Sequence, residues 1–250
     1  MPQQIHALQN ALLILQISLS FNMVDFKILQ KYFTEYLVSN PFDLFVAISC
    51  FIPLIVVLSN FQKIWSKSKV LVIYVFLILL LELIGNYYAA HSWNNHLFYI
   101  VFYFLESICL YLYFKNTISN SFINKIHFVI LILVLFALLF NAINNHDQIN
   151  DYSGSIQSIG FICISLVSYY YILAQTNIKN LFESAFFWIN TGSFIYFSGV
   201  LFVFLFITKI MAENNDGMVK YYDIFSALVI VFRIFLAIGI SKIVNQKNIK

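Results

Sequence analysis

Glu82 and Glu106 are the residues of this 250-residue chain best placed to do chemistry. Each lies inside an apolar stretch, residues 70–90 and 97–114, and the uncharged turn His91-Ser92-Trp93-Asn94-Asn95-His96 joins the two stretches. If both are membrane helices rising ~1.5 Å per residue, each carboxyl lies about twelve residues, or roughly 18 Å, below the middle of that turn. A carboxyl at that depth in a lipid-spanning segment is costly and marks a candidate functional site. Asn86 follows Glu82 by four positions and shares its helical face, and Gly85 with Ala89 forms a small-residue pair suited to close helix contact. Around Glu106, Tyr99, Tyr103 and Tyr113 stand at helical spacing, so one face offers a carboxyl and phenolic donors.

The only arginine, Arg233, lies near the middle of the last apolar stretch, on one face with Asp223, Ser226 and Ala237. An arginine at a helix centre costs ~2.5–3.5 kcal/mol to insert, so it is expected to face the interior and take Glu82 and Glu106 as partners. Two carboxylates against one guanidinium leave one negative charge. In a dry interior one Glu would carry a proton, or a bound cation or cationic ligand group would supply the balance. The alternative is a structural buried ion pair that sets helix register. The candidate ligand or ion site is therefore Glu82, Asn86, Tyr103, Glu106 and Arg233, between the second, third and seventh spans and open to the outside. In the sixth span Asn190, Ser193, Tyr196 and Ser198 form a polar face suited to helix packing, with Gly192, Tyr196 and Gly199 sharing one side.

The elements that must position these residues are membrane helices. Apolar side chains make up 61% of the chain and charged ones 10%, against about 25% charged in ordinary soluble domains. The expected fold is all-α, a polytopic transmembrane bundle of seven helices over residues 41–58, 69–90, 96–114, 124–143, 153–174, 186–208 and 221–242. Asn40-Pro41 starts the first span, and Pro53 within it is expected to kink the helix by freeing a carbonyl. Before it, residues 24–39 pattern as an amphipathic helix on the membrane surface, and no signal peptide is read in residues 1–22. Residues 1–40 thus form an N-terminal segment, 41–245 the transmembrane domain and 246–250 a short cytoplasmic tail.

Nine lysines (63, 67, 69, 115, 125, 179, 242, 247 and 250) fall on one side of these spans and four (27, 31, 209 and 220) on the other. The positive-inside rule then puts the N-terminus outside and the C-terminus in the cytoplasm. Trp65, Trp93 and Trp188 stand near span ends, as interfacial aromatics do. The net charge of +3 serves topology, and no nucleic acid partner is implied. Cys50, Cys109 and Cys163 sit within apolar stretches and read as inert thiols. His91 and His96, and His146 beside Asp147 and Asp151, read as solvated loop residues, so neither a metal nor a cofactor is expected. The spans contain no GxSxG, HExxH, CxxC or GxGD, and no lysine lies within the seventh, which disfavours an enzyme or a retinal protein.

The run from Phe187 to Gly199, with the Glu82–Asn86 cluster and Glu106, resembles a family of small bacterial seven-helix inner-membrane proteins to which no chemistry is assigned. They are similar in layout to the membrane-sensing halves of some histidine kinases. The resemblance implies a sensory or ligand-binding module in the bacterial inner membrane. Because few residues follow the last span, its output would belong to a separate cytoplasmic signalling protein. The rival reading is a small proton- or cation-coupled transporter using the same carboxyls. Nothing in the sequence specifies the oligomeric state.

Overall fold

The computed structural model describes residues 27–28, 41–93, 96–144, 152–174, 181–213 and 215–245. The expected amphipathic helix at 24–39 and the tail at 246–250 therefore lie outside the described residues, apart from Lys27 and Ile28. Every regular element described is helical: α1 (Pro41–Ser49), α2 (Phe51–Ser59), α3 (Phe61–Lys67), α4 (Lys69–Ala90), α5 (His96–Thr117), α6 (Ser121–Asn144), α7 (Tyr152–Ala174), a single 3₁₀ turn (Leu181–Glu183), α8 (Ala185–Glu213) and α9 (Asn215–Asn245). Seven segments of 18 to 23 residues are long and apolar enough to cross a membrane, α1 and α2 together making the first. Their outer faces carry Phe45, Ile55, Leu80, Leu133, Phe136 and Phe202, all exposed, as lipid contact requires. The chain forms an all-α, multi-pass membrane protein.

The helix boundaries follow from local chemistry. Pro41 opens α1, where its missing N–H has no intrahelical partner to lose. The Asn120 side chain accepts from the Phe122 and Ile123 amides at 2.9 and 3.2 Å and caps α6. Pro53 cannot donate to the Ser49 carbonyl, and a one-residue turn at Cys50, itself with helical dihedrals (φ −64°, ψ −24°), separates α1 from α2. The stretch between the first two spans forms the short helix α3. Its Ile64 is fully buried, Phe61 stacks on Trp65 one turn on, and Lys67 donates to the Ile243 carbonyl at 3.0 Å, satisfying the end of α9.

Neighbours in sequence are neighbours in space: α4 packs on α5, α5 on α6, α6 on α7, α7 on α8 and α8 on α9. The bundle closes because α9 also lies against α1 and α2, and α5 crosses to touch α7. The tightest seam is α8 against α9. A Cβ at Gly192 would collide with Phe235, and one at Gly199 with Leu228. Between those glycines Tyr196 stacks on Phe232, centroids 5.1 Å apart. At Gly85, by contrast, a Cβ would meet only the Tyr99 hydroxyl at 3.8 Å, so the second-span pair is not a close helix contact. Gly192→Leu and Gly199→Leu are each expected to cost about 1–3 kcal/mol by overpacking, and Gly85→Ala to stay within about 0.5 kcal/mol. Thermal midpoints in one detergent check both.

Candidate functional site

Each of the two carboxyls has its own set of partners. Arg233 on α9 donates from Nη2 to Glu82 Oε2 on α4 at 2.6 Å, a salt bridge with side chains only 8% and 17% exposed. Its Nη1 donates to the Val46 carbonyl at 2.5 Å and the Ser49 hydroxyl at 3.0 Å, both on α1. The Val46 carbonyl also accepts from the Ser49 hydroxyl at 2.7 Å. The guanidinium is thus held by a carboxylate, a hydroxyl and a backbone carbonyl. Asn86 Nδ2 completes the other side of Glu82, donating to Oε1 at 3.2 Å and to the Glu82 carbonyl at 2.9 Å.

Glu106 on α5 is 2% exposed and stands apart from this ion pair. Its Oε1 accepts from the Tyr74 hydroxyl of α4 at 2.8 Å, and its Oε2 from Gln157 Nε2 of α7 at 3.0 Å. Gln157 also reaches the Ser107 hydroxyl at 3.2 Å and the Tyr103 carbonyl at 3.3 Å. No cation forms a salt bridge with Glu106 among the described residues. The expectation that Arg233 serves both carboxyls is corrected: its two terminal nitrogens bond Glu82 and α1, and Glu106 is the carboxyl with no ion-pair partner among the described residues. The phenolic donor is corrected too, from the tyrosines of Glu106's own helix to Tyr74 on the neighbouring one. Tyr103 contributes its backbone carbonyl to Gln157.

Of the sixth-span residues, Asn190 donates to the Ser165 carbonyl of α7 at 3.2 Å, and Ser193 bonds back to the Ile189 carbonyl at 2.9 Å. Tyr196 packs on Phe232, one residue before Arg233, and Ser198 is half-buried. Four side chains of the two clusters escape sequence reasoning: Ser49, Tyr74, Ser107 and Gln157. Gln157 alone left a signal, as a lone side-chain amide in an apolar stretch; Tyr74 is one of 16 tyrosines.

Searches against protein-family models, curated proteins and solved structures find no match, so the chain is assigned to no family.

The two clusters should respond differently to mutation. Arg233→Gln leaves Glu82 half-buried and unpaired, and is expected to cost about 3–5 kcal/mol. Gln157→Leu removes one neutral donor from Glu106 and is expected to cost about 1–3 kcal/mol. Unfolding of the purified protein in lipid-detergent micelles measures both.

Proposed function

We propose that the protein is a sensory or ligand-binding module of the bacterial cytoplasmic membrane, acting through a separate cytoplasmic protein, with Glu106 as the group that responds. The observation that carries this reading is a buried carboxyl bonded to neutral donors from two other helices. Hydrogen bonds to an ionised carboxylate are shorter and stronger than those to a neutral group. A proton, a cation or a cationic ligand group arriving at Glu106 would change the hold on Tyr74 and Gln157 together, and so the relation of α4, α5 and α7. Glu82, Asn86 and Arg233 act in this reading as the structural lock beside the responsive carboxyl. The distribution of lysines supports an external N-terminus and a cytoplasmic C-terminus.

A second reading, a small proton- or cation-coupled transporter, is favoured by one feature: Glu106 meets no cation among the described residues, leaving its charge open to a transported one.

Glu106→Gln keeps the shape of the side chain and removes its charge. For a sensor, the variant should fold and should recover a cytoplasmic partner on purification in an amount that no longer changes with external pH or cation. Wild-type recovery should change. Equal responses from both proteins would refute the role of Glu106, and cation or proton uptake by wild-type proteoliposomes that is lost in the variant would decide for transport. For topology, a cysteine replacing Ser119 should be blocked by a membrane-impermeant thiol reagent only after cells are opened. Blocking in intact cells would reverse the orientation.

A further inference from the structure

A second group of buried polar side chains lies between α6, α7 and α8, outside both carboxyl clusters. His127, Ser158, Ser165 and Asn190 are each 0% exposed. Both ring nitrogens of His127, the hydroxyls of Ser158 and Ser165 and the Oδ1 of Asn190 have no hydrogen-bond partner among the described residues. Three of these residues converge on one turn of α7. The His127 ring lies beside the Ile164 carbonyl, outside hydrogen-bonding geometry, and Asn190 donates to the carbonyl of Ser165. Leaving such groups unsatisfied costs about 1–3 kcal/mol each, and buried polar atoms in folded proteins are almost always bonded, to protein or to water. A neutral imidazole presents one donor and one acceptor, a hydroxyl both, and an amide oxygen only an acceptor. The guest that matches this set is small and both donates and accepts: water.

The group also has a direction. His127 is six residues into α6 from Ser121, so it lies near the end of the bundle that carries Lys115 and Lys125. On α7, Ser158, Phe161 and Ser165 fall at spacings of three and four, on one face. Ser158 is next to Gln157, which holds Glu106. Between the two serines, Phe161 is fully buried and stacks on Phe197 of α8, with centroids 4.7 Å apart and planes within 17°. Polar groups therefore lie on both sides of an aromatic pair, the arrangement by which a hydrophobic constriction gates a wet path.

We propose that the seam between α6, α7 and α8 holds water around His127, Ser165 and Asn190, and that it is the route by which protons reach Glu106, with Phe161 and Phe197 as its barrier. The proposal rests on the reading of Glu106 as the responsive group. Each hop breaks the O–H or N–H bond of a donor and makes one on the next acceptor, so the net step moves one proton from bulk water to the Glu106 carboxylate. The other ionisable groups whose fields meet at Glu106 are Tyr74 on α4, Cys109 on α5, Tyr196 on α8 and Arg233 on α9.

Two measurements on the full chain in lipid bilayers test this. In water-edited solid-state NMR, the His127 ring and the Asn190 side-chain amide should receive magnetisation from water several-fold faster than the buried Leu138 side chain. Transfer as slow as at Leu138 overturns the water site. In infrared spectra after a pH jump, the Glu106 band, identified by its loss in Glu106→Gln, should follow pH. It should follow several-fold more slowly in His127→Phe, near the wild-type rate in His127→Gln, and faster in Phe161→Ala. A band that ignores pH, or whose rate ignores His127, overturns the route. If these results hold while Glu106→Gln leaves the partner response intact, the route stands and the sensory reading fails; the reverse pair of results removes the route alone.

Discussion

The structure turns on one requirement: the guanidinium of Arg233, set in the middle of a membrane helix, has to be satisfied without bulk water. It cannot shed its charge, and the cost of leaving it unpartnered is the largest single electrostatic term in a bundle of this composition. Its partners come from opposite ends of the sequence, and the architecture follows from bringing them together. Glu82 ties α4 to the arginine, Val46 and Ser49 tie α1 to it, and α9 lies against both α1 and α8.

With that pair closed, the other carboxyl acquires a different chemical character. Glu106 is more deeply buried than Glu82 and is held only by a phenol and an amide. One carboxylate is therefore committed to a permanent counter-charge, and the other keeps two hydrogen bonds whose strength depends on its own charge. A static pair holds register; a carboxyl among neutral donors is suited to change. The polar interior thus divides into a fixed ion pair and an adjustable carboxyl.

Much of the fold was legible in the sequence because hydrophobic length alone marks a membrane helix, and seven apolar stretches became seven crossing segments. The pairing of Glu82 with Asn86 was legible for a similarly local reason, four residues on one helix. What could not be read was the rotation of one helix about its axis relative to another. Depth assigned both carboxyls to Arg233, but azimuth sends Glu106 toward α7, where Gln157 waits, and Tyr74 cannot be singled out from the other tyrosines by spacing. The same limit explains Gly85. Its small-residue pattern with Ala89 was real, but the neighbour that faces it is a tyrosine hydroxyl and not a backbone. The kink near Pro53 was expected, while the meeting of Val46 and Ser49 with an arginine from the far end of the chain depends on which helices pack together.

The central claim is that Arg233 belongs to Glu82 and not to Glu106. Double-mutant cycles of unfolding free energy, combining Arg233→Gln with Glu82→Gln and separately with Glu106→Gln, measure it directly. The expected coupling is about 1–3 kcal/mol for the first, directly bonded pair and distinctly smaller for the second, in which Arg233 acts on Glu106 only through space. Equal coupling to both carboxyls, or stronger coupling to Glu106, would contradict it.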